Sequence, residues 1–133
     1  MNRLKGEIDL IETHEHLSLV KIKVGKFNFT TVVIETTDSV DYLRPGGEIN
    51  ILFKETEVLI CRKPCPQISL QNRIEGSIEE IVKGKLLSQV TLHTEIGNIK
   101  SIITTNAVRQ LGLKTRDEVI AMIKTNEIML QHD

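Results

Sequence analysis

"SLQNRIEGSI" occupies residues 69–78, and seventy residues earlier the chain opens with "MNRLKGEI", residues 1–8. One phrase, Asn-Arg-apolar-charged-Gly, is written twice, and only the second copy has a serine and a glutamine just upstream. Carried outward at the same offset, the comparison keeps finding matches without a gap. Asn2, Arg3 and Gly6 meet Asn72, Arg73 and Gly76; Ile8 and Ile11 meet Ile78 and Ile81. Leu17, Ser18 and Val20 meet Leu87, Ser88 and Val90; Asn28 meets Asn98 and Leu43 meets Leu113. Glu48, Lys54 and Glu57 meet Glu118, Lys124 and Glu127. Register held over a whole chain marks a tandem duplication. The units are residues 1–64 and 65–133, and the joint lies in "RKPCPQI" (62–68), where two prolines punctuate the chain.

Each unit reads mostly as strand. "GEIDLIE" (6–12) and "GSIEEIV" (76–82) open on Gly and carry β-branched residues, while "SLVKIKV" (18–24) and "SQVTLHT" (88–94) alternate with period two. "GKFNF" (25–29) and "IGNIKSII" (96–103) follow turn residues and suggest hairpins. "EINILFK" (48–54) and "EVIAMIK" (118–124) are strand-like, and "EVLI" (57–60) and "EIMLQ" (127–131) close each unit. One short helix is expected per unit, over "TTDSVDYL" (36–43) and "TTNAVRQLGL" (104–113), with Thr, Asp or Asn as cap at its start and Gly112 at the left-handed position after the second. The fold class is therefore mostly β: two tandem OB-like five-stranded Greek-key barrels, each with one short helix. A unit of this size buries too little surface to stand comfortably alone, so it should pack on its twin and on other chains.

Composition narrows the functions. The chain has 133 residues, 40% hydrophobic and 26% charged, with a formal charge of −1. Neither half is a basic footprint for nucleic acid, and three Phe and one Tyr are too few for a base-stacking platform. No apolar run nears the roughly 20 residues of a membrane span. Met1 leads straight into charged residues with no signal-peptide pattern, so a cytoplasmic location is expected. Cys61 and Cys65 in "CRKPC" cannot alone close a tetrahedral zinc site. Reduced thiols beside a linker are expected, with a disulfide or a metal role as alternatives. His14 and His16 in "THEHL" form H-x-H, which reads as a polar turn and not a metal site; His93 and His132 have no companions. No phosphate loop, nucleophile elbow or H-E-x-x-H is present, so the reading is a binding protein and no catalytic residue is assigned.

"SLQNRIEGSI", "IITTNAVRQLGL" (102–113) and "DEVIAMIKTNEIML" (117–130) together resemble the molbindin or Mop domain. Residues 69–133 follow that pattern throughout; residues 1–62 follow it more loosely, as in the related TOBE domains. The resemblance implies a cytoplasmic binder of molybdate or tungstate that assembles with itself, as a trimer first and a dimer second, for storage or homeostasis. Because such domains also serve as sensor modules, the alternative is a regulatory or oligomerisation module with weak or no anion binding. A tetrahedral dianion needs many donors and some positive charge, and hydroxyls, amides and backbone N–H groups at a turn or helix start supply them. The resemblance places Ser69, Gln71, Asn72, Thr104, Lys124 and Thr125 at the oxyanion, often across a subunit interface.

Two departures from the family pattern stand out. The family commonly has Arg where this chain has Gln71, which donates hydrogen bonds but brings no charge. In the first unit Ile34 stands at the Thr104 position and Glu55 at the Thr125 position, leaving Asn2, Arg3 and Lys54 as weaker candidates. A carboxylate repels an anion. The second unit is thus expected to bind and the first to be degenerate; the recurring Asn-Arg-x-x-Gly is fold grammar, and the upstream Ser and Gln are the functional addition.

Overall fold

The computed structural model describes residues 1–64 and 67–132. Strands run β1 Asn2–His14, β2 Leu17–Val24, β3 Phe27–Val33, β4 Glu48–Phe53, β5 Leu59–Arg62, β6 Asn72–Lys83, β7 Leu87–Thr94, β8 Gly97–Thr104, β9 Glu118–Ile123 and β10 Met129–Gln131, with one helix, α1, at Thr105–Leu111. They form two curled antiparallel five-stranded sheets, ordered β10-β4-β1-β2-β3 and β5-β9-β6-β7-β8. The period-two pattern of β2 is realised directly: Ser18, Val20, Ile22 and Val24 are buried, and the residues between them face outward.

β1 and β6 each serve two partners. β1 pairs with β4 through its first half and with β2 through its second, slipping register between Ile8 and Leu10. β6 does the same with β9 and β7, slipping between Ile78 and Glu80. The extra residue bends the strand and lets one ribbon feed two neighbours. Gly6 and Gly76 sit beside these bends for a reason of space. A Cβ on Gly6 would lie 2.8 Å from the Lys23 carbonyl oxygen, and one on Gly76 2.7 Å from that of His93.

The closing strands correct the sequence reading. "EVLI" was expected to close its own unit, yet β5 pairs with β9 of the second half, setting Leu59 opposite Met122 and Arg62 opposite Val119. β10 likewise pairs with β4 of the first half, Met129 opposite Leu52 and Gln131 opposite Asn50. The two halves exchange their last strands. A three- or four-residue segment pairs equally well with either of two near-identical edges, and local pattern does not choose between them. One core results, in which Leu4 and Ile74, Val20 and Val90, Phe53 and Ile123, and Val58 and Ile128 are buried twins.

The expected helix of the first unit is a second correction. Residues 36–44 form turns, with the Val40 N–H reaching the Thr36 carbonyl once and going no further. Ser39 closes the turn locally: its hydroxyl accepts from the Thr36 N–H and donates to the Thr36 carbonyl. Arg44, preceding Pro45, is biased away from helical backbone. In the second unit Ala107, Arg109, Gln110 and Leu111 are good helix formers. There Thr104 caps α1 by accepting from the Ala107 N–H, and Gly112 ends it at φ 60°.

Cys61 is disulfide-bonded, which overturns the reduced thiol expected there; that expectation rested on composition and spacing, which do not fix a thiol's state. Cys65 lies outside the described residues. No described helix is long and apolar enough to cross a membrane.

Candidate functional site

Asn72 opens β6 fully buried, and its carboxamide is already engaged. The Thr30 N–H donates to its Oδ1 at 2.7 Å and its Nδ2 donates to the Thr30 carbonyl at 2.8 Å. β3 is an edge strand, so Asn72 imitates the next strand with a side chain. Asn2 does the same to β8: the Lys100 N–H donates to its Oδ1 and its Nδ2 donates to the Lys100 carbonyl, both at 2.8 Å. These two clips bind each half to the other, which accounts for the recurrence of Asn in both units. Both were named as anion donors; their amide groups are used within the fold.

Arg73 is turned back on the segment before it. Its Nε donates to the Leu70 carbonyl at 2.8 Å and its Nη2 to that of Ile68 at 3.0 Å. The guanidinium thereby fixes residues 68–71 and leaves Ser69 and Gln71 exposed. Asn72 pairs with Ile123 at the last rung of the ladder, so Gln71 and Lys124 are the residues at which the chain enters β6 and leaves β9. Lys124 is exposed and extended (φ −69°, ψ 145°), and leads into a 3₁₀ turn at Thr125–Glu127. That turn rests on β3, where the Thr31 hydroxyl reaches the carbonyls of Ile128 at 2.8 Å and Thr125 at 3.1 Å. Gln71, Lys124 and Thr125 therefore lie at the same end of the second sheet, with Ser69 just upstream in sequence.

Thr104 does not join them within one chain. It is exposed, ends β8 and pairs with Leu87, next to Ser88, which faces Lys83 at the far end of β6. Asn72 stands at the other end of that same strand. One copy thus offers the expected set in two separate places.

In the first half, Lys54 is exposed and matches Lys124 (φ −72°, ψ 147°), and Arg3 is exposed nearby. Glu55, at the Thr125 position, takes the Met1 ammonium at 2.5 Å. That hydrogen bond, a backbone N–H of its own turn and the charge of Lys100 hold its carboxyl below the usual range. Sequence reasoning missed Thr30 and Lys100, the two backbones clipped by asparagine. The signal for them was the repeat itself, since 30 and 100 are one offset apart.

Beside Gln71 lies a groove of about 800 Å³ between residues 68–73 and the outer face of β1–β3. It presents Lys21 and Arg73 but also Asp9 and Glu12. Its mixed charge distinguishes it from a cationic anion trap. Among the described residues no group of three or more His, Cys, Asp or Glu stands ready for a metal ion.

The TOBE-domain family profile matches residues 68–130. The molybdenum-pterin-binding protein MopB of Rhodobacter capsulatus is 31% identical over 116 residues, which is 84% of this chain and 42% of MopB. This chain therefore spans less than half of that relative. Molybdenum-pterin-binding protein 1 of Clostridium pasteurianum is 36% identical over 64 residues, covering 47% of this chain and 94% of its own length. Among solved structures, the cytoplasmic molybdate-binding protein ModG, crystallised with molybdate bound, superposes with a TM-score of 0.92 at 28% identity, over 99% of this chain and 96% of that one.

Proposed function

The chain belongs to the molbindin family of Mop/TOBE domains, and from that premise we propose that it binds molybdate or tungstate, as a cytoplasmic store or buffer. The observation that carries this reading is the likeness, over nearly the full length of both chains, to a protein with molybdate bound. Gln71, Lys124 and Thr125 supply one amide, one cation and one hydroxyl from a single sheet end, with Ser69 close upstream. Lys124 brings the positive charge that Gln71 lacks. Thr104, at the far end of the sheet, reaches the ion from another copy of the chain, so the site is complete only in the oligomer, for which a trimer is preferred over a dimer. Asn72 contributes by fixing the segment that carries Gln71.

Equilibrium dialysis against molybdate, tungstate and sulfate, read by elemental analysis, tests the reading. Retention of molybdate or tungstate at micromolar concentration, with sulfate left behind, is expected. A chain that retains neither would instead be the alternative, a regulatory or oligomerisation module. Light scattering that shows only a 15.0 kDa monomer at micromolar concentration would remove the shared site.

A further inference from the structure

Glu55 and Thr125 hold equivalent places in two turns that otherwise copy one another. Lys54 and Lys124 enter with the same extended backbone, and Glu57 and Glu127 take the same place two residues after the difference. The carbonyls of Val58 and Ile128 accept matching bonds, from the Ser101 hydroxyl at 2.7 Å and the Thr31 hydroxyl at 2.8 Å. What differs is charge, and it differs on both sides of the contact. The first turn rests on β8, where Asn2 holds Lys100; the second rests on β3, where Asn72 holds Thr30. A carboxylate and a lysine, Glu55 and Lys100, belong to the first contact, and two threonines, Thr125 and Thr30, to the second. The Met1 ammonium, at 2.5 Å from the Glu55 carboxylate, stands at the position Gln71 has in the second half.

This is the arrangement of an anion site whose anion is built in. A carboxylate offers two oxygens and a shared negative charge, and so reproduces one edge of a tetrahedral oxyanion toward the same donors. Resting on the reading of the second half as an oxyanion site, we propose that Glu55 is an internal surrogate ligand. It occupies the anion position of the first half, balances Lys100 and the Met1 ammonium, and confines molybdate to the second half. A free dianion entering there would have to displace Glu55 and leave that carboxylate facing it, which like charges forbid. Beneath Glu55 the chain keeps a latent site, built from Lys54 of one half and Lys100 of the other. Lys100 is the residue that sets it apart, because its twin is Thr30.

The test counts ions. Molybdate bound per chain is measured by elemental analysis and calorimetry on the full chain, on Glu55→Thr and on the near-isosteric Glu55→Gln, which guards against a folding failure of the first variant. Both are expected to bind one more molybdate per chain than the parent. Glu57→Gln, which removes a carboxylate common to both turns, should leave the count unchanged, and Lys100→Ala added to Glu55→Thr should abolish the gain. Folded variants at position 55 that bind only the parental number overturn the proposal. The two readings fail separately. A parent chain that binds nothing, beside a Glu55→Thr chain that binds one ion, refutes the second-half site and the confinement of molybdate there, and upholds Glu55 only as the group that closes the first half; no binding by either refutes both.

Discussion

Lys124 and Lys54 are the same residue in the same backbone setting, yet their neighbours make them unequal. Lys124 leads into the hydroxyl of Thr125, whereas Lys54 leads into the carboxylate of Glu55. Lys124→Ala is therefore expected to remove a charge-assisted hydrogen bond, about 1.5–3 kcal/mol or roughly 10- to 150-fold in molybdate affinity. Lys54→Ala should do much less, and equal losses by calorimetry would refute the asymmetry. Arg116 poses a different question, since it adopts φ 76° where its twin is Gly46 at φ 87°. Left-handed backbone costs a side chain about 1–2 kcal/mol, offset partly by the entropy of glycine in the unfolded chain. Arg116→Gly should thus stabilise by about 0.5–1 kcal/mol, visible as a melting point a few degrees higher. The candidate residues were legible one at a time, from type and position in the repeat. That Gln71 and Lys124 lie at one end of the sheet and Thr104 at the other was not, because it depends on which end of a bent strand each occupies.

Among the elements, the edge strands β3 and β8 are each held by an asparagine, and this makes Asn2 and Asn72 structural. Asn72→Ala should leave the Thr30 N–H and carbonyl unpaired, at a cost of about 2 kcal/mol in urea unfolding. Asn72→Asp should cost more, since it keeps the acceptor but sets a carboxylate against the Thr30 carbonyl. β10 ends on a different device. His132 stacks on Tyr42, with ring centroids 4.3 Å apart, and the Tyr42 hydroxyl donates to Glu35 at 2.5 Å. Burial first, and then the bond to Glu35, push the Tyr42 phenol up to about 12. A raised folded value means stability that is whole below the ordinary phenol value near 10 and is lost as pH rises toward 12. Chemical denaturation from pH 9 to 12 should therefore show a loss in the parent that is smaller in Tyr42→Phe. Strand positions were legible because alternation and turn residues agree locally. The missing first-unit helix was not, because Thr36 and Asp38 offer caps whether or not a helix follows them.

For the whole molecule, the exchange of β5 and β10 removes any boundary at which the halves could come apart. Val58 and Ile128 are buried in one core with residues of both sheets. Ile128→Ala, near the C-terminus, should cost about 2–4 kcal/mol and lower the stability of both halves in a single transition. Calorimetric and van't Hoff enthalpies should agree; two transitions, with only the later one shifted, would contradict the shared core. Duplication was legible at this scale because the register never slips. Which sheet receives each closing strand was not, since duplication itself makes the two edges alike.

The exchange also has a consequence for dilution. Two separate half-chains that traded last strands would be a dimer, and would fall apart as concentration dropped. Joined through Arg62 to Asn72 in one chain, the same contacts form intramolecularly and do not depend on concentration. A protease cut in that segment would break no strand, yet it would turn a concentration-independent fold into a concentration-dependent association.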